Sequence, residues 1–153
     1  MRVVVLVVLA GCWGDRPPPV EAPVIANASP VAPPRRVHRN RSVWEGRYTC
    51  AQGVTALRLT IERHDTMGAT ATFDFGPLDE NPSVPRGSYR MNGIVRDAEG
   101  ELLVSLAPDE WIVQPPGYAM VAFDAATEHD GRILRGPIDP STGCGELEVS
   151  RVE

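Results

Sequence analysis

The chain has 153 residues and a formal net charge of −5, with 42% hydrophobic, 23% charged and 6% aromatic residues. A single core of this size buries roughly two thirds of the surface its unfolded chain would expose, but fifteen prolines and fourteen glycines exclude a helical bundle. All fifteen basic residues are arginine, which excludes Schiff-base and phosphate-loop lysine chemistry, and the acidic balance argues against a general nucleic-acid binder.

The chain opens on Met1 and Arg2, followed by eight apolar residues from Val3 to Ala10. A positive charge, a short apolar run and small residues are the layout of a secretory signal, and the run is far below the ~20 residues of a membrane-spanning helix. At Leu9-Ala10-Gly11-Cys12 the sequence resembles the lipobox of bacterial lipoproteins in every position. That resemblance implies removal of residues 1–11 and lipidation of Cys12 as the first residue of the mature chain. Two or three acyl chains on one residue hold firmly where one chain holds only reversibly, since each buried methylene contributes about 0.8 kcal/mol. The next residue, Trp13, is not the aspartate that favours inner-membrane retention in such lipoproteins, so the resemblance implies the outer membrane.

Residues 12–42 change character, with Pro17-Pro18-Pro19 and Pro33-Pro34 set among small residues and no apolar periodicity. A segment of this kind buries too little surface to offset its ordering entropy and reads as a disordered tether. Arg35, Arg36, Arg39 and Arg41 make its end basic. They read as a solvated linker end or, alternatively, as a collar attracted to anionic headgroups.

From residue 43 to 153 the hydrophobic period is two. Trp44, Gly46, Tyr48 and Cys50 share one phase, as do Leu57, Leu59 and Ile61, and then Ala69, Ala71, Phe73 and Phe75. Further strands are expected at 88–95, 102–106, 119–125, 133–138 and 144–152, with turn signals at 64–68, 97–100 and 129–131. This predicts an all-β domain, an antiparallel meander of about eight strands. Closure into a small barrel would remove both exposed edges, and a two-sheet sandwich is the alternative. Gly46, Gly93 and Gly136 mark sharp bends or close backbone approach. Trp44-Glu45-Gly46-Arg47-Tyr48 on the first strand faintly resembles the calycin superfamily of lipocalin-like and avidin-like barrels, which implies a ligand-carrying barrel.

With Cys12 lipidated, Cys50 and Cys144 remain, at the end of the first strand and the start of the last. They become neighbours if the barrel closes, and an exported domain favours their disulfide over a thiol nucleophile or metal pair. Closing a loop of this length contributes ~4–5 kcal/mol in the chain-entropy model. His38, His64 and His129 show no metal-ligand spacing, and no nucleophile elbow, phosphate loop or dinucleotide fingerprint is present. Neither a metal nor a cofactor is therefore expected. Asp79-Glu80 and Asp109-Glu110 read as solvated loop carboxylates, with calcium binding or a glycosidase pair as the competing reading.

Two proline-stiffened loops are expected at 76–87 and 107–118. The second gathers Trp111, Ile112, Gln114 and Tyr118, residue types that form contact surfaces for a glycan or a protein. In the alternative reading, Trp111 and Ile112 plug one end of the barrel. Residues 43–153 hold nine arginines against eighteen acids, so this domain is repelled by anionic surfaces and polyanions. The sequence therefore predicts a lipid-anchored envelope protein with a non-catalytic binding or interaction module, whose partner is an envelope protein or glycan and not nucleic acid. A carrier of a small apolar ligand and a hydrolase using the loop carboxylates are the alternatives.

Overall fold

The computed structural model describes residues 40–64 and 67–153. Cys12, the signal and most of the tether lie outside them. Eight strands follow one another: β1 (Arg41–Cys50), β2 (Gly53–Arg63), β3 (Gly68–Gly76), β4 (Gly87–Ala98), β5 (Glu101–Val113), β6 (Phe123–Glu128), β7 (Ile133–Pro137) and β8 (Glu146–Arg151), with one 3-10 turn at Pro140–Thr142 before β8. Each pairs antiparallel with the next, and β8 pairs antiparallel with β1 from Trp44↔Arg151 to Tyr48↔Leu147. That last pairing closes the sheet into a barrel and decides against the sandwich.

Three boundaries differ from the sequence reading. β1 begins at Arg41, inside the expected linker, because Arg41 and Ser42 continue the ladder opposite Glu62 and Ile61. The expected loop 107–118 is strand as far as Val113. The expected strand 119–125 begins only at Phe123, since β6 pairs with β5 over Leu103–Leu106 alone. Among the described residues the β6 side of β5 carries no ladder beyond Leu106, so Pro108 there removes no bond to β6.

Inward residues fill the barrel. Phe73 is the hub: Tyr89 stacks on it at 4.8 Å, Tyr48 meets it edge-on at 5.3 Å, and Phe75 and Phe123 lie within 6.5 Å. Offset and edge-on pairs of this kind add about 0.5–1.5 kcal/mol each beyond area burial. At the end where the chain enters, Trp44 is fully buried, its indole N–H donates to Ser42 Oγ at 2.9 Å, and the Arg151 guanidinium sits 5.7 Å from the ring centre. The neighbouring strand presses hard on all three glycines anticipated as close approaches. A Cβ on Gly46 would meet the Glu148 carbonyl oxygen, one on Gly93 the Ser105 carbonyl oxygen, and one on Gly136 the Asp124 carbonyl oxygen. Only a residue without a side chain lets the strands coil this tightly.

Candidate functional site

The two ends of the barrel are connected differently. At the Trp44 end the hairpins are tight: Glu99 and Gly100 both have positive φ, as a short turn matched to strand twist requires, and His129 to Gly131 do likewise. At the opposite end lie the β1–β2 turn and the long connections 77–86, 114–122 and 138–145. Asn81 ties the first of these down, its side-chain amide donating to the carbonyl oxygens of Gln52 at 2.7 Å and Val54 at 3.0 Å. The Gly145 N–H donates to the Thr49 carbonyl at 2.9 Å and carries the last connection onto β1. Beside it the sulfurs of Cys50 and Cys144 lie at disulfide distance, with Cα atoms 3.9 Å apart, inside the ~7 Å limit for a bridge without backbone movement. The pair clasps the first and last strands where their ladder ends.

These connections enclose a cleft of about 420 Å³ at the mouth, within the ~300–1,000 Å³ span of small-ligand sites. Tyr48, Phe75 and Tyr89 reach it from the core, the cysteine pair and Gln52 form one wall, and Tyr118 and Val121 the other. Among the described residues no Asp, Glu, Arg or His side chain lines it. Burial pushes the Tyr48 phenol well above its ordinary range, with the nearby Tyr118 phenol adding to the effect, and burial does the same to Tyr89. Both therefore remain O–H donors. Tyr89 uses its hydroxyl structurally, donating to the Val121 carbonyl at 3.1 Å and accepting from the Val121 N–H at 3.3 Å. Those two bonds hold the 114–122 connection where no ladder does. Gln52 Nε2 donates to Tyr48 Oη at 3.2 Å and to Thr55 Oγ1 at 3.3 Å.

Of the four residues singled out on 107–118, the structure brings Tyr118 alone into the cleft, its ring stacked on Phe75 at 5.5 Å and 19°. Trp111 is partly buried against the core, edge-on to Tyr89 at 5.3 Å and to Phe75 at 6.4 Å, as the plug reading expects of it but not of Ile112. The cause is a register shift. Met91 pairs with Pro108 but Tyr89 pairs with Trp111, so β5 carries an extra residue between them and its inward phase passes from even to odd positions. Ile112 then points away and is 51% exposed, and Gln114 is exposed as well, so both lie outside the cleft. The sequence reading missed Gln52, Thr142 and the role of Tyr48 in the mouth. The adjacency of Ala51-Gln52 to Cys50 was the available signal.

The carboxylates lie elsewhere. Glu80 pairs with Arg47 at 3.6 Å, Glu110 pairs with Arg90, Asp79 and Asp109 are exposed, and none of the four lines the cleft. Among the described residues no group of three His, Cys, Asp or Glu side chains is placed to hold a metal ion. His64 is exposed and bonded to Thr70 Oγ1 at 2.9 Å. No protein-family model matches the chain, and searches of curated proteins and of solved structures find nothing significantly similar to it.

Proposed function

We propose that the chain is a lipid-anchored protein of the cell envelope whose barrel is a non-catalytic binding module that takes its ligand at the mouth. The observation that carries this reading is the uncharged cleft at one end of a barrel whose interior is otherwise filled by rings. An apolar ligand carried inside would have to displace Phe73 and its neighbours, whereas the mouth is open as it stands. Hydrolysis by the loop carboxylates Asp79-Glu80 and Asp109-Glu110 would need a pair ~5–9 Å apart in a cleft, and none of the four lines the mouth.

The lipobox supplies the anchor in this reading. β1 begins at Arg41 and ends at Cys50 in the cleft wall, ten residues later, which is ~30 Å of extended chain. β1 thus enters the barrel at the end remote from the cleft. An exported address also favours a covalent Cys50–Cys144 bond.

Mass spectrometry of the membrane fraction tests the reading. The native chain should yield a mature N-terminus at Cys12 carrying acyl mass, together with a Cys50–Cys144 linked peptide that separates on reduction. Cys12→Ala should abolish the acyl mass and leave the chain outside the membrane fraction. Recovery of the native chain as an unprocessed, unacylated species defeats the proposal.

A further inference from the structure

We propose that the mouth cleft binds a neutral saccharide, with the sugar ring stacked on Tyr118 and its hydroxyls held by Gln52, Tyr48 and Thr142. The inference rests on the cleft being the module's binding site and names the ligand class for it. Among the described residues the lining offers no cation to an anionic ligand, and the acidic excess of residues 43–153 repels one. It offers no carboxylate to a metal ion or an amine. Phe75 and Tyr118 lie flat on one another instead of facing across a gap, so they do not form an aromatic cage for a quaternary ammonium group. A hydrocarbon would cover the Gln52 amide and the Tyr118 and Thr142 hydroxyls without replacing the bonds they make to water.

A saccharide satisfies both halves of the lining. Both side-chain bonds of Gln52 use Nε2, which leaves Oε1 to accept from a ligand hydroxyl. Tyr48 Oη accepts one of those bonds and shares its proton with Thr55, whose own proton goes to the Gly53 carbonyl, so a lone pair remains to accept from a ligand hydroxyl. Thr142 Oγ donates to the Asp139 carbonyl at 2.6 Å and retains lone pairs toward the cleft it lines. One face of the Tyr118 ring is covered by Phe75 and the residue is only partly buried, so the other face is a flat apolar surface for the C–H side of a pyranose. Tyr118 is set by the stack beneath it, and Gln52 by its two bonds. A ligand entering this cleft meets groups already in position, which lowers the ordering cost of binding.

Saturation-transfer NMR on the full-length chain, in a detergent free of sugar, tests this. The probes are glucose, galactose, mannose, N-acetylglucosamine and their common disaccharides, with glucuronate, choline and indole as the charged and apolar counterparts. The expected result is transfer to the ring protons of at least one neutral sugar, with Tyr118→Ala weakening it by about tenfold or more. Gln52→Ala, a turn residue, should weaken it in the same direction, and both variants should keep the native circular dichroism spectrum. Absence of transfer to every neutral sugar overturns the saccharide assignment, as does transfer that survives both substitutions. Binding of glucuronate, choline or indole alone, abolished by Tyr118→Ala, overturns the ligand class while leaving the cleft as the binding site. Silence from every probe removes the support for the cleft itself.

Discussion

The two ends of the barrel share eight strands and differ in what closes them. At the terminal end, Trp44 is fully buried under Arg151, and backbone bonds run from Val43 N–H to the Glu153 carbonyl at 3.1 Å and from Val152 N–H to the Val43 carbonyl at 2.8 Å. At the mouth, three long connections are held by side chains, Asn81, the Tyr89 hydroxyl and the cysteine pair, with isolated backbone bonds such as Gly145 N–H to the Thr49 carbonyl. One end is closed by packing and ladder bonds. The other is held by a few discrete contacts, and these leave room for a cleft without exposing the core. Long loops on a rigid sheet are where recognition residues collect, and this barrel places all its long loops at one end.

The sharpest way to break that contrast is at Trp44. Trp44→Ala removes the largest fully buried side chain and should cost ~3–5 kcal/mol. If the closed end underwrites the whole barrel, Trp111 fluorescence at the mouth will be lost in the same denaturant transition as the β-sheet circular dichroism signal. Separate transitions would show that the mouth has stability of its own. Opening the clasp is the next largest perturbation. Cys50→Ser with Cys144→Ser should cost ~2–4 kcal/mol in an oxidised protein and nothing measurable in a reduced one. Because the pair lies in the cleft wall, amide exchange should accelerate first across 138–145 and only later around Trp44. Equal acceleration at both ends would contradict the division of labour.

The strands were legible wherever alternation was unbroken. β1, β2 and β3 show their phases directly, because every second residue must face the core and that core is contiguous. Closure was expected because it removes both exposed edges of the meander, and it is closure that makes Cys50 and Cys144 neighbours. The mouth was harder to read, for two physical reasons. Pro108 and the acidic pair after it read as a loop, but a strand with one unpaired side tolerates a proline, and Glu110 extends outward to Arg90. The extra residue in β5 then reversed its phase. A period-two reading cannot see such a slip, so Trp111 and Tyr118 were assigned to one surface when the first belongs to the core and the second to the cleft. Val121 misled in the opposite direction: it alternates like a strand residue, but its backbone is satisfied by the Tyr89 hydroxyl and not by a ladder.

The smallest expected effect lies in the wall between the ends. Asp74 sits on β3 between Phe73 and Phe75, in register with Arg58. Partial burial raises its carboxyl above the ordinary carboxylate value, and Arg58 offsets only part of that rise. A carboxyl whose folded pKa exceeds its unfolded value binds its proton more tightly in the native state, so its charged form weighs against folding at neutral pH. That burden lifts as pH falls through the raised folded value, and no difference remains below the unfolded value of 3.8, where both states are protonated. Asp74→Asn should therefore stabilise the barrel slightly at pH 7, and the gain should shrink on acidification to nothing once the native-sequence carboxyl is protonated in both states. Urea midpoints of the two proteins at several pH values provide the measurement. A loss of stability at neutral pH would mean that the pairing with Arg58, partly shared with Glu45, outweighs desolvation. The wall between the ends would then be held by charge as well as by the rings it covers, as the Trp44 end is by Arg151 and the Arg41 ion pairs.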